Sequence, residues 1–365
     1  MRKVIAKIDL ENIKSNAKAF AALTEKPVCA VVKANAYGHG AEETVNALEG
    51  AVDCFAVSLL SEATALRVAA CGKDILIFSP PLGEEQAYAA AQNGFVMTVG
   101  DLATANMLAA LSQKRHIPVR VHLKANTGMN RYGCNLQTLG KACKLFAASP
   151  LIRVEGLYSH LYAYDGGTAH TQRLRFLRAQ ALVKGYFPRC ICHLSATYGA
   201  LLGEEFRFDM TRIGIGLYGY LPDGVICENG ITAQTLGLKK AMTVWADVTA
   251  CRRYADGGAG YGTPKTSLEK GEFLSTLRFG YADGFLRQAQ NGVCGFEKNA
   301  NNLCMDACVR KGKEKQGTLV PVMTDAAETA KKTGTISYEV LCAATRRAEM
   351  VYDDVAFCGR GKYKR

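Results

Sequence analysis

The sequence predicts an α/β chain: an amino-terminal (β/α)8 TIM barrel over residues 1–225, then a mainly β carboxy-terminal domain over residues 226–365. Three observations predict it. Between residue 28 and about residue 220, short apolar runs alternate with helix-like stretches eight times, the number that closes such a barrel. Those runs are apolar almost throughout, as strands buried on both faces of a parallel sheet must be. Past residue 225 the long helical stretches stop and Gly-rich turns separate β-like runs. At 365 residues the chain is long for one domain, which fits a large unit plus a smaller one.

Taken in order, the strands are CAVVKA (29–34), CFAVSLL (54–60), ILIFSP (75–80), FVMTVG (95–100), VRVHLKA (119–125), RVEGLYSH (153–160), CICHLS (190–195) and MTRIGIGLYG (210–219). Between them SEATALRVAACG (61–72), EEQAYAAAQNG (84–94), DLATANMLAALSQKR (101–115) and TQRLRFLRAQALVKGYF (171–187) read as helices, several closed by Gly. In the second domain KKAMTVWADVTACRRY (239–254) and EFLSTLRFGY (272–281) read as strands, with DGGAGYG (256–262) and ADGFLR (282–287) as turns. An open doubly wound sheet is the alternative arrangement for the first part.

The totals exclude several classes. Formal net charge is +12, but Lys and Arg are scattered and never alternate with aromatics in a stripe, so no nucleic-acid partner is expected. The basic stretches RKGKEKQG (310–317) and GRGKYKR (359–365) read as solvated loop and chain end. No run of 18 apolar residues and no signal-peptide core is present, so the expected location is cytoplasmic, with no membrane partner. The 14 cysteines read as reduced thiols, and RCICH (189–193) and CMDAC (304–308) fall short of four metal ligands, so no metal is expected.

In a barrel of this kind chemistry gathers where the strands end. The polar residues there are Lys33, Lys124, His160, Thr197 and Arg212. Each alone reads as a solvated cap or a satisfied core residue; five on one rim point to a site centred on lysine. An amine at the end of an apolar strand is partly desolvated, which favours the neutral, nucleophilic form. Ser195-Ala196-Thr197 after strand seven and Gly214-Ile215-Gly216 after strand eight offer hydroxyls and backbone N–H groups suited to a phosphate. An aldehyde-accepting lysine beside a phosphate cradle points to pyridoxal 5'-phosphate.

The stretch VVKANAYGHG (31–40) resembles the cofactor-lysine signature of the alanine racemases, fold-type III pyridoxal-phosphate enzymes. HLKANTGMNRYG (122–133), YSHL (158–161), TRIGIGLYG (211–219), AGYG (259–262), FGYADGFLR (279–287), LCMDACV (303–309) and ISYEVLC (336–342) continue the resemblance along the whole chain, in the family's order. It implies interconversion of L- and D-alanine by two bases, with D-alanine supplied for peptidoglycan. Lys33 resembles the lysine that binds the cofactor and acts as one base. Tyr261 resembles the opposing base, donated across a homodimer interface; without the resemblance it reads as a turn tyrosine. Arg212 resembles the arginine facing the pyridine nitrogen, or pairs with Asp209 if it is only structural. Tyr37, Thr197 and the Gly214/Ile215 backbone match the phosphate contacts, and His160 matches a histidine near the cofactor ring. Arg131 and Met305 resemble substrate-binding residues, Met305 from the partner subunit. Lys124 matches a lysine often carbamylated in the family; a carbamate there would be an anion able to orient Arg131.

The resemblance has departures. Asn126 stands where the family commonly has aspartate, and Ala196 where many members have asparagine. CAATRRAEMVY (342–352) replaces a family segment whose tyrosine lines the pocket: on an ungapped reading Arg346 takes that place and Tyr352 falls beyond it. These changes keep a serine racemase of the same family open as an alternative. A fold-type III decarboxylase would carry cysteine in place of Tyr261. A non-catalytic pyridoxal-phosphate carrier would end near the barrel.

Overall fold

The structure, a computed structural model, describes residues 4–225, 227, 229–257, 269–287 and 303–353. The chain divides into two units. One comprises residues 14–36 and 41–238; the other comprises the described residues of 1–13, 37–40 and 239–365.

The first unit holds eight parallel strands, each matching one of the apolar runs: β2 (Val28–Val31), β3 (Cys54–Val57), β4 (Ile75–Ile77), β5 (Val96–Val99), β6 (Val119–Lys124), β7 (Ile152–Tyr158), β8 (Ile191–His193) and β9 (Thr211–Ile213). Six ladders join them in sequence from β2 to β8, and a seventh sets β9 on the other side of β2. Arg212 N–H to Ser195 O at 3.0 Å and Asp209 N–H to Cys192 O at 2.9 Å link the two ends of that order, bringing the ring close to closure. Strands β2, β4 and β5 are buried at every residue, which is why they read as unbroken apolar runs.

Helices cover the outside, and local sequence sets their ends. Asp101, Asn135 and Asp165 accept the N–H groups of Thr104, Thr138 and Thr168 at 2.7, 2.8 and 2.6 Å, capping helices Leu102–Arg115, Leu136–Ala147 and Gly166–Tyr186. His116, at φ 51°, stops the first of these in a left-handed cap.

The second unit is mainly sheet. The sequence reading placed no strand before residue 29, yet β1 (Val4–Ile8) lies in this sheet, antiparallel to β10 (Met242–Arg253) and parallel to β14 (Glu349–Tyr352). The order β12-β11-β10-β1-β14 takes in β11 (Phe273–Leu277) and β12 (Cys308–Lys311), and β13 (Leu319–Met323) also pairs with β10. Met242, Val244, Ala246 and Val248 are buried while their neighbours are half exposed, so β10 packs one face. Two helices unforeseen from the sequence, Ala326–Thr333 and Ser337–Ala344, belong to this unit. Gly284 lets the backbone of the second one approach. Its φ is 105°, and a Cβ there would lie 1.8 Å from Ala343 O.

Among the described residues no helix is long and apolar enough to cross a membrane, and no cluster of His, Cys, Asp and Glu could hold a metal ion. The cysteines among them are free thiols.

Candidate active site

Lys33 follows β2 and leads into an unusual turn. Ala34, Asn35, Ala36 and Tyr37 all have φ of 53–54°, a left-handed run without a glycine. Each such residue costs roughly 1–2 kcal/mol, so neighbours must hold the turn in place. Glu62 does much of this: its carboxylate accepts the N–H groups of Ala34 at 2.6 Å, Ser58 at 2.8 Å and Leu59 at 2.9 Å. The Asn35 side chain accepts Ala41 N–H at 2.8 Å, and Ala36 N–H reaches Val32 O at 2.9 Å. Strain at this point is confined to the residues that follow the lysine, the kind of outlier that marks functional sites.

Arg212, on β9, is 2% exposed. Its Nη1 donates to His193 Nδ1 and His193 O, both at 2.8 Å, and its Nη2 donates to Ser159 O at 2.7 Å and Leu194 O at 3.0 Å. A guanidinium has five N–H donors. Four are thus committed, and among the described residues the fifth, Nε–H, has no acceptor. Burial pulls the guanidinium down to about 10, still cationic at neutral pH. The structure thus makes no Arg212–Asp209 pair: Asp209 instead accepts Cys192 N–H at 2.7 Å and lies 3.6 Å from Lys184 Nζ.

Around Arg212 the interior of the ring is polar. Tyr158 stacks on His193 with centroids 5.1 Å apart and planes 7° apart, and its hydroxyl meets Thr98 Oγ1 at 2.7 Å. Thr98 is on β5 and Tyr158 on β7, so this contact skips a strand, which only side chains inside the ring can do. Lys124 Nζ lies 4.2 Å above the Tyr158 ring. Burial, then the charges of Arg212 and Arg131, lower the Lys124 amine to about 7. Burial and the cations Arg212, Lys124, Arg131 and Lys33 hold His160 well below its usual range, so its imidazole is neutral.

Gln172, on helix Gly166–Tyr186, ties two of these loops together. It is 1% exposed. Its Nε2 donates to Thr127 Oγ1 and His160 O at 3.0 Å each, and its Oε1 accepts Tyr162 N–H at 3.1 Å. Thr127 belongs to the loop that carries exposed Arg131. A buried amide with every group satisfied fixes the segments it joins.

The last two strands end in small loops. Thr197 Oγ1 accepts Gly214 N–H at 3.4 Å and Gly216 N–H at 3.3 Å, so hydroxyl and backbone donors face one another. Ser195 instead donates its hydroxyl to Phe206 O at 2.6 Å. A Cβ on Gly216 would lie 2.4 Å from the buried Phe20 ring, so this loop has no room for a side chain. Lys33, Arg212 and the Thr197/Gly214 loops together suit pyridoxal phosphate: an amine for its aldehyde, a spare N–H for its ring nitrogen, and neutral donors for its phosphate.

The second unit holds other residues singled out from the sequence. Tyr37 is buried, its ring 5.9 Å from that of Tyr338, and burial pushes its hydroxyl above the usual range. Met305 is exposed, and its carbonyl accepts Ala282 N–H at 3.0 Å. Asp306 accepts from Arg347 at 2.9 Å. Arg346 lines a cavity of about 320 Å³ with Tyr281, Arg287, Thr333 and Glu339. Tyr261 lies outside the described residues.

His122, His193, Tyr158, Gln172 and Glu62 were not singled out as site residues from the sequence. The first three carried a signal: His122 and Tyr158 open the motifs HLKANTGMNRYG and YSHL, and His193 lies four residues before Thr197 on a strand that the pattern had already placed.

Comparison with known proteins covers nearly the whole chain. The family model for the alanine racemase N-terminal domain matches residues 8–222, and that for the C-terminal domain matches residues 241–352. Alanine racemase of Methanococcus maripaludis is 30% identical over 375 residues, 95% of this chain and 98% of its own. That of Lactobacillus delbrueckii subsp. bulgaricus is also 30% identical, over 95% and 96%. Among solved structures, alanine racemase of Clostridium difficile 630 aligns with a TM-score of 0.87 and 26% identity over 96% of both chains. The Bacillus anthracis enzyme with bound L-Ala-P aligns at 0.85 and 25%, over 97% of this chain and 96% of its own.

Proposed function

This chain belongs to the alanine racemase family, and we propose that it interconverts L- and D-alanine with pyridoxal 5'-phosphate, using Lys33 and Tyr261 as bases on opposite faces of the substrate. The observation that carries this reading is that Lys33 closes β2 next to β9, the strand that carries Arg212 and its one uncommitted donor, in a chain the family models match almost end to end.

When bound, pyridoxal phosphate supplies an aldehyde for an amine and an electron-withdrawing ring that makes the α-proton of an amino acid removable. The residues of the chain supply the rest. Thr197 and the backbone of Gly214 and Ile215 would hold the phosphate, with Tyr37 as a further contact. Arg212 would offer its remaining donor, Nε–H, to the ring nitrogen. Because guanidinium gives up a proton poorly, that nitrogen stays unprotonated. Neutral His160 packs near the ring without adding charge. Arg131 holds the substrate carboxylate, and the Met305 backbone narrows the space about it.

Racemisation needs a proton removed from one face of the α-carbon and returned on the other. Lys33 Nζ holds the proton on one face and the Tyr261 hydroxyl on the other. Tyr261 and Met305 would reach the site of a second copy, so the active form is a homodimer in which each site borrows from its partner. An amine lowered to about 7, as at Lys124, is partly neutral near pH 7 and can add carbon dioxide, releasing one proton and leaving a carbamate. That anion would orient Arg131. The cell use that follows is supply of D-alanine for peptidoglycan in the cytoplasm.

A chiral assay of the purified protein with added pyridoxal phosphate tests the reading, with L-alanine and L-serine offered side by side. D-alanine as the main product is expected. Preferred D-serine, or neither product, overturns it. Tyr261→Phe is expected to slow L-to-D conversion at least about a hundredfold, the scale of one lost acid/base group, while leaving cofactor absorbance unchanged.

A further inference from the structure

The Arg212 network continues past the arginine. An arginine only donates hydrogen bonds, so the 2.8 Å contact from Nη1 makes His193 Nδ1 an acceptor that carries no proton. Neutral His193 therefore holds its proton on Nε2. That atom lies 3.0 Å from His122 Nδ1, which must accept, so His122 also carries its proton on Nε2. Three groups on β9, β8 and β6 thus form a one-directional chain of donors.

The seat of the last ring is made by a missing side chain. Gly156 on β7 pairs in register with His122 on β6, just past an irregularity between Val121 and His122. A Cβ at Gly156 would lie 2.6 Å from Cγ, Cδ2 and Cε1 of the His122 ring. Only glycine leaves the imidazole room to reach His193.

We propose that the His193–His122 pair is a fixed chain of neutral tautomers that positions Arg212, with His122 as a positioning residue acting through His193 and Gly156 as the space that seats it. The inference rests on the reading of Arg212 as the residue facing the cofactor's ring nitrogen. A proton added to either ring would place an N–H against an N–H: His193 Nδ1 faces Arg212, and His122 Nδ1 faces His193. The surrounding groups agree. Arg212, Lys124 and the Tyr158 ring face His193, and Arg120, Asp74 and Arg212 bear on His122. Asp74 alone among these would favour a charged ring, and it is held by both terminal nitrogens of Arg120. Burial leads the same way, lowering His122 to about 3 and His193 well below its usual range. With both rings fixed, Arg212 keeps four bonds and its Nε–H stays aimed.

The test is 15N NMR of histidine-labelled full chain, with and without pyridoxal phosphate. Both rings are expected as Nε2–H tautomers, unchanged from pH 8 to pH 5. A proton on His193 Nδ1, or either ring charging in that range, overturns the proposal. His122→Phe keeps a ring and removes the acceptor. His193 Nε2–H then has no acceptor and its ring should lose the fixed Nε2–H tautomer, and kcat should fall about tenfold, the scale of one lost buried hydrogen bond, with KM for alanine little changed. If His193 keeps its Nε2–H tautomer and kcat is unaffected, the pair is packing only. Should that variant fail to fold, Gly156→Ala displaces the same ring without removing its chemistry and is read in the same two ways. An inactive protein that still shows both tautomers would count against the racemase reading, not against the chain of tautomers.

Discussion

Arg212 and Lys124 are both buried cations inside the same ring of strands, and they are held in opposite ways. The guanidinium is committed at four of five donors, to carbonyls and one imidazole. The ammonium has an aromatic face beneath it and, among the described residues, no side-chain or backbone acceptor. The difference separates a cation fixed as a permanent donor from one left free to lose its proton. One region orients; the other titrates.

The largest way to break the comparison is to remove the fixed cation. Arg212→Ala leaves Ser159 O, Leu194 O and His193 Nδ1 without donors, while His193 O keeps Ser159 N–H at 3.3 Å, at about 1–3 kcal/mol for each buried group that stays unpaired. The relief of a desolvated charge offsets only part of this. We expect a loss of about 4 kcal/mol, read as the shift in urea unfolding midpoint. A loss below about 1 kcal/mol would mean the network contributes little to the fold.

Gln172→Leu is expected to be smaller. It unties the Thr127 loop from His160 and leaves Tyr162 N–H unpaired, costing about 2 kcal/mol. Because that loop carries Arg131, KM for alanine should rise more than kcat falls. Equal effects on both would place Gln172 in the general scaffold.

Lys124→Met sharpens the other side and acts in the opposite direction. The folded value of the amine, about 7, lies below the unfolded value of 10.5. The unfolded chain therefore holds more protons between those values, and this group makes stability rise with pH across that window. In buffer depleted of carbon dioxide, Lys124→Met should stabilise the protein at pH 6.5 by about 1 kcal/mol or more, with the gain shrinking towards pH 10. A gain independent of pH would show that packing, and not the buried charge, is the cause.

Much of the frame was legible before any coordinates. All eight barrel strands follow from apolar runs bounded by helix-like stretches, because strands covered on both faces leave no room for polar residues. Lys33 stood out as a cation closing such a run. The strand Val4–Ile8 did not, since nothing in five residues announces a partner 234 or more positions away at Met242–Arg253. The left-handed turn after Lys33 was equally hidden: Ala-Asn-Ala-Tyr contains no glycine, and it is Glu62, 28 positions from Ala34, that holds it.

The site divides along the same line. Sequence by itself determined the residues whose chemistry is intrinsic: a lysine at a strand end, hydroxyls and glycines in short loops, an arginine among apolar neighbours. Only the tertiary structure decided their states. It spent four donors of Arg212 and left the fifth, lowered Lys124 by burial beside two other cations, and gave the Ser195 hydroxyl to Phe206 O while setting that of Thr197 against the N–H groups of Gly214 and Gly216. The physical reason is that protonation, tautomer and donor direction depend on what lies within a few ångströms, and residues brought that close by the fold are far apart in the chain.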